Sequence, residues 1–350
     1  MDLNIDPEIA RASTLPGEFY TSQDVHDALR ERVFARSWQW VGHAGEVAQP
    51  GAVRPVDLLP GMLDEPLLLA RDEAGALRCM SNVCTHRGNL LCTAPGSRKH
   101  LRCGYHGRRF KLDGSFESMP GFDGAQGFPT AADDLPTLAT GELAGQLFTS
   151  LSPAHGFDDL AGEARARLEQ LSLGEGTWDP ARSRDYEVQA SWALYVDNYL
   201  EGFHVPYVHP GLAQDLDLGG YAVETYPLSS LQIGRSSGTG PVLEQDIAAC
   251  YYWLFPNTML NIYPWGLSVN VVQPLAVDRM RVLFRTFVSR PELLDQGAGG
   301  ALDQVELEDE AVVEQVQRGV RSRLYRRGRY APRHELAVHH FHRLLQAALA

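Results

Sequence analysis

The sequence predicts an α+β protein built in two parts. Short apolar runs broken by Pro and Gly fill residues 38–152 and read as a β-rich unit. Helical spacing of apolar residues recurs on either side of it. Alternating stretches between residues 220 and 290 read as strands of an antiparallel sheet. At 350 residues the chain is long enough for two domains. The expected division is 1–37, 38–152 and 153–350.

Along the chain, residues 17–37 read as helical, with Ser22 as N-cap and Val25, Leu29, Val33 and Phe34 on one face. Within the β-rich unit, 65–70, 109–114 and 146–151 carry strand signals. Leu160, Ala164, Leu168 and Leu171 predict an amphipathic helix within 153–178. A strand follows at 184–188, then a long helix from Trp192 to about Val205. Residues 267–272 and 281–287 alternate as strands, and 297–300 is a short Gly-rich connection. The end of the chain, 302–349, reads as helical with a break at 328–332.

The net charge of −13 argues against nucleic-acid binding. Five cysteines are few and odd in number, so Cys79, Cys92 and Cys250 are expected to be small buried residues rather than disulfide partners. The first six residues lack the basic and apolar regions of a signal peptide, and no apolar run approaches membrane-spanning length. A cytoplasmic location and no membrane contact are the expectation.

Cys84-x-His86 and Cys103-x-x-His106 carry the first chemical signal. Two thiolates on one iron and two neutral imidazoles on the other make a Rieske [2Fe–2S] centre, which accepts single electrons at a higher potential than an all-cysteine cluster. Zinc also takes two Cys and two His. A zinc finger, however, usually places both cysteines before both histidines, whereas here each Cys has its own His. Gly88, Gly104 and Gly107 suit tight turns around such a cluster.

Asp197, Glu201 and His204 are spaced to share one helix face, and His209 follows five positions later. Pro206 is expected to end or bend the helix and swing His209 back. Two histidines and a carboxylate with open positions form the facial triad of non-haem Fe(II) oxygenases. The plainer alternative is a core helix whose histidines only form hydrogen bonds.

Together these motifs resemble the α subunit of the Rieske non-haem iron oxygenases, also called ring-hydroxylating oxygenases, over essentially the whole length. The resemblance rests on Cys84-Thr85-His86-Arg87-Gly88, Cys103-Gly104-Tyr105-His106-Gly107 and Glu201-x-x-His204-x-x-x-x-His209. It implies an antiparallel Rieske domain inserted in a helix-grip (START/SRPBCC-like) catalytic domain to which 1–37 also belongs. It implies Asp309 as third ligand of a mononuclear Fe(II). Spacing alone leaves Glu306, Glu308 and Glu310 open. It further implies that Glu201, where many relatives have Asp, bridges His106 of one chain to His204 of the next in a homotrimer. Asp197 would then orient a ligating histidine. Electrons would come from NAD(P)H through a flavin/iron–sulfur reductase, and O2 would be activated beside a small organic substrate. Arg108 replaces a Trp common in the family and, with Arg109, reads as an exposed cation pair near the cluster.

Residues 198–207 and 255–263 resemble quaternary-ammonium oxygenases of the choline monooxygenase type. Tyr251, Tyr252, Trp253, Phe255, Tyr263 and Trp265 lie close in sequence and are candidates for an aromatic cage that holds a quaternary ammonium by cation–π attraction. Strand aromatics also commonly pack a core. The main alternative is an aromatic ring or aromatic-acid hydroxylase, whose pocket would want a basic residue. A Rieske electron carrier would lack the second iron site altogether. His339, His340 and His342 are expected as helix-surface and packing residues.

Overall fold

The computed structural model describes residues 3–171, 176–238 and 240–350. The chain divides into two compact units, one formed by Ala35–Ala154 and the other by Met1–Phe34 together with His155–Ala350.

The smaller unit is built from β-strands. These are β1 (Gln39–His43), β2 (Ala52–Leu58), β3 (Glu65–Arg71), β4 (Leu77–Ser81), β5 (Gly96–Ser97), β6 (Leu101–Arg102), β7 (Arg109–Phe110), β8 (Phe116–Ser118), β9 (Thr137–Leu143) and β10 (Gln146–Ser150). Seven of them form a sheet in the order β1-β10-β9-β4-β3-β2-β5, and β6-β7-β8 form a separate three-stranded sheet. Strand β3 is apolar on both faces because Leu68 packs into one core and Leu67 and Leu69 into another. The expected strand at 109–114 is shorter, since Lys111 to Ser115 close a turn instead.

In the larger unit, α1 (Gln23–Arg32) follows a short 3-10 turn at Gly17–Tyr20, and the Ser22 hydroxyl accepts from Val25 N–H at its start. The helix expected over 17–37 is therefore broken into pieces. Helix α2 (Phe157–Leu171) occupies the expected amphipathic stretch, of which 172–175 lie outside the described residues. Strand β11 (Thr177–Val188) is longer than expected and carries an irregularity between Asp179 and Arg184.

Helices α3 (Trp192–Tyr199), α4 (Val205–Val208) and α5 (Leu212–Asp215) follow. The sheet is completed by β12 (Leu216–Tyr226), β13 (Ser229–Ser236), β14 (Ile247–Leu254), β15 (Thr258–Tyr263), β16 (Gly266–Ala276) and β17 (Arg279–Val288). Its order is β11-β17-β16-β15-β14-β13-β12, antiparallel throughout. Helices α6 (Leu302–Val320) and α7 (Leu336–Leu349) end the unit. Helix α3 packs on α6 and β16. A ring cluster of Phe34, Trp192, Phe341 and Trp253 ties the first segment to the sheet and α7.

The larger unit is also closed by its own distant ends. Arg327 donates to Leu3 O at 2.6 Å, Arg329 to Ala10 O at 2.6 Å, and His339 Nε2 lies 2.8 Å from Asp6 O. Ile5 N–H donates to the Gln346 side chain. Of the surface and packing settings expected for the three histidines, His339 and His342 thus take the packing one, as buried bonding groups. A regular amphipathic pattern conceals them because their partners come from the other end of the chain.

Candidate metal centres and the cavity beside them

The two Cys-His loops share one backbone design. Cys84 N–H donates to Asn89 O at 2.9 Å, and Gly88 N–H donates to Cys84 O at 3.0 Å. In the second loop Cys103 N–H donates to Arg108 O at 2.8 Å, and Gly107 N–H to Cys103 O at 3.1 Å. Gly88 and Gly107 have φ of +71° and +77°, a region that favours glycine, whereas Gly104 does not need it. Cys84 and Cys103 are buried, and the His86 and His106 rings lie 4.8 Å apart at the open side. Burial alone would raise the Cys103 thiol. The N–H groups of Tyr105 and His106, with Cys84 and Asn89, instead hold it below its ordinary value. The donor set, two cysteines and two histidines on paired tight loops, fits a [2Fe–2S] cluster.

Asp133 clamps the two loops. Its carbonyl accepts from Thr85 of the first at 2.9 Å and from Arg108 of the second at 3.0 Å, and its carboxylate pairs with Arg108 at 2.7 Å. Arg108 is only 2% exposed, with its guanidinium 5.0–5.6 Å from the centroids of Phe110, Phe116 and Phe128. This corrects the expectation of an exposed pair. Arg109 is half-buried and bonds Glu117 at 3.0 Å. Arg108 substitutes for a flat aromatic because a guanidinium stacks on rings as well as pairing with carboxylate.

In the larger unit, α3 stops at Tyr199, before Glu201 and His204. Gly202 allows the close approach of Tyr221 just beyond it: a side chain there would meet the Tyr221 ring at 2.9 Å. Glu201 Oε2 accepts the N–H groups of Phe203 and His204 and so opens the next turn, with Pro206 near its start rather than at a break. The face expected to join Asp197 to Glu201 and His204 is therefore lost. Asp197 instead accepts from Tyr20 Oη at 2.7 Å and pairs with His342 Nε2 at 2.7 Å, and Tyr330 Oη bonds the other nitrogen of His342 at 2.6 Å.

His204, His209 and Asp309 converge, their ligand atoms all within 4.8 Å of one another. Asp309 Oδ1 lies 3.0 Å from His209 Nε2 and 3.5 Å from His204 Nε2. The outward nitrogens are held by carboxylates: His204 Nδ1 by Glu201 at 2.6 Å, and His209 Nδ1 by Glu308 at 2.7 Å. Burial would depress the His209 imidazole, but Asp309 and Glu308 hold it above its ordinary value. Two imidazoles and one carboxylate, each imidazole braced from behind, fit Fe(II). Of the other acids left open by spacing, Glu308 serves the bracing role and Glu306 bonds Tyr195 Oη at 2.6 Å.

A cavity of about 100 Å³ adjoins these three residues. Tyr195, Tyr199, Tyr221, Tyr251, Tyr263 and Phe284 line it, and among the described lining residues there is no Arg or Lys. Of the six clustered aromatics, only Tyr251 and Tyr263 reach it, because alternation along β14 turns Tyr252 away. Trp253 packs on Phe341 and Trp265 donates to Gly299 O at 3.2 Å. Burial pushes the lining tyrosines above their ordinary values, so they stay protonated. Polar groups in the wall bond one another: Tyr199 Oη to Asn261 at 2.7 Å, and Tyr221 Oη to Gln232 at 3.2 Å. Tyr195, Tyr199, Tyr221 and Phe284 are separated in sequence and were not visible as a group.

A cluster-type cysteine/histidine site and an open two-histidine, one-carboxylate site on one chain define an iron-dependent oxygenase supplied with single electrons. The chain belongs to the Rieske non-haem iron oxygenases: residues 37–129 match the Rieske [2Fe-2S] domain, and residues 175–350 match the ring hydroxylating alpha subunit (catalytic domain). It is the oxygenase component, an oxidoreductase that uses O2 with a [2Fe–2S] cluster and a mononuclear iron, in a family supplied by a reductase. Choline monooxygenase of Arabidopsis thaliana is 32% identical over 97% of this chain and 84% of its own. The carnitine monooxygenase oxygenase subunit of Acinetobacter pittii is 31% identical over 93% of this chain and 89% of its own. A quaternary ammonium Rieske monooxygenase structure, described with carnitine oxidation and inter-subunit electron transfer, superposes at TM-score 0.82 with 26% identity, covering 99% and 100% of the two chains. Among the described residues no helix is long and apolar enough to cross a membrane.

Proposed function

We propose that the chain hydroxylates a quaternary ammonium or related N-methyl compound. The observation that carries this reading is the cavity wall, rich in phenol rings and without a cation among its described residues. Ring faces attract a quaternary ammonium. An aromatic acid would bring a carboxylate with no basic partner, which such a wall disfavours. The similarity to choline and carnitine monooxygenases supports the same reading.

In this reading Cys84, His86, Cys103 and His106 hold the [2Fe–2S] cluster, and His204, His209 and Asp309 hold the mononuclear iron. The iron, when bound, supplies O2 activation beside the cavity. Glu201 fixes the His204 ring and keeps its Nε2 turned to Asp309. Its proposed bridge to His106 of a neighbouring chain would make a homotrimer the working assembly. The electron donor is a flavin/iron–sulfur reductase drawing on NAD(P)H. A cytoplasmic location is supported by the three cysteines outside the proposed cluster, Cys79, Cys92 and Cys250, which are buried thiols rather than disulfide partners.

Substrate-dependent NADH consumption with a matching reductase tests the reading. Trimethylammonium compounds should stimulate product formation, and benzoate-type acids should not. Turnover of aromatic acids alone would overturn it.

A further inference from the structure

Glu306 stands one helical turn before Asp309 on α6, so the two side chains share a face about 5–6 Å apart at Cβ. It lines the cavity and is 4% exposed. One carboxyl oxygen is fixed by Tyr195 Oη at 2.6 Å, while Oε1 is buried without a hydrogen-bond partner. A buried carboxyl normally has a cation or a full set of donors. Here burial pushes the group well above its ordinary value despite the Tyr195 bond, with Asp309, Glu310 and Asp303 adding to the rise. No Arg or Lys among the described residues lines the cavity to relieve it. The missing counter-charge is one that a ligand can bring.

We propose that Glu306, anchored by Tyr195, is the specificity-determining counter-ion for the cationic head of the substrate. The inference rests on the quaternary-ammonium reading above and names the residue that enforces it. A quaternary nitrogen offers no N–H, so it needs a nearby negative charge and ring faces rather than a set of acceptors. A bound cation favours the ionised form, so Glu306 gives up its proton to solvent as the head group enters and supplies the charge, while the surrounding phenol rings supply the faces. A head group held at Glu306 places the carbons bonded to nitrogen one helical turn from Asp309, which sets the position that is oxidised.

The test compares choline with its uncharged carbon isostere, 3,3-dimethylbutan-1-ol, by calorimetric binding to holoenzyme carrying about three irons per chain. Wild type should prefer choline. Glu306→Gln should weaken choline binding about tenfold or more and leave isostere binding unchanged. Tyr195→Phe, which keeps the charge and loses the anchor, should show a smaller loss of the same preference. A fully iron-loaded Glu306→Gln that binds choline as wild type does would overturn the inference while leaving the proposed function intact. If Glu306→Gln does not fold, a Tyr195→Phe protein with undiminished preference for choline overturns it as well. Wild type that binds neither choline nor tetramethylammonium would overturn both.

Discussion

Glu308 Oε2 lies 2.7 Å from His209 Nδ1, on the ring nitrogen opposite the one that faces Asp309. Adjacent residues of one helix thus address both nitrogens of one imidazole. In the proposed centre Asp309 shares the metal position, and Glu308 fixes the tautomer that presents Nε2 to it. Partners of this kind typically contribute 10–100-fold in metal affinity. Glu308→Ala should weaken mononuclear iron binding by about that factor, read as iron lost to a chelator, while the cluster absorbance is retained.

His204→Ala should lower iron from about three to about two per chain and leave a Rieske spectrum. A variant that still holds the third iron would show that the His204, His209 and Asp309 set is misassigned.

Arg108 holds the Asp133 carboxyl below its ordinary value of 3.8, chiefly through their hydrogen bond. A lowered carboxylate contributes stability above the unfolded-state value and loses it as pH falls through the folded one. Asp133→Asn should therefore destabilise the smaller unit most near neutral pH, and the difference from wild type should shrink below about pH 4. Urea unfolding followed by cluster absorbance measures this. A pH-independent difference would mean that the ion pair contributes nothing and the backbone carbonyl alone secures the loops.

Asp197→Ala leaves Tyr20 Oη and buried His342 Nε2 without their acceptor. The loss should be about 2–4 kcal/mol, seen as a lower Tm for the larger unit. Asp197→Asn should recover part of it. Iron content should change little, because Asp197 bonds neither His204 nor His209. A selective loss of iron in Asp197→Asn would return this residue to the metal centre.

Exchange of Tyr251 tests the rings directly. Tyr251→Phe keeps the face and should retain binding of trimethylammonium probes, whereas Tyr251→Leu should weaken it about three- to tenfold. Equal effects of both changes would assign the role to the hydroxyl.

The proposed metal donors are legible in the sequence because their chemistry is local. Cys84 with His86, and Cys103 with His106, lie on tight loops where spacing nearly dictates geometry. Asp309 could not be separated by spacing from Glu306 and Glu308, since helix α6 turns the three toward different partners. The sequence groups Asp197 with Glu201 and His204 because a helix continued across Gly202 would carry all three on one face. The glycine was the available signal, but the ring of Tyr221 that makes it necessary comes from strand β12. The burial of Arg108 is hidden for a similar reason: Phe116 and Phe128, which cover it, are brought in by later turns. The cavity wall draws on α3, β12, β14, β15 and β17, so no single stretch of sequence displays it.

The bonds from Arg327 to Leu3, Arg329 to Ala10 and His339 to Asp6 mean that the opening residues of the chain have no place to settle until the closing ones have been synthesised. During translation, the segment preceding Ala35 must wait while the smaller unit emerges behind it and begins to fold. The stretch that forms the smaller unit, with Cys84, His86, Cys103 and His106, is thus made in full before the chain reaches His204, His209 and Asp309. Asp309 lies late in the sequence, and the larger unit is sealed only by the final helix.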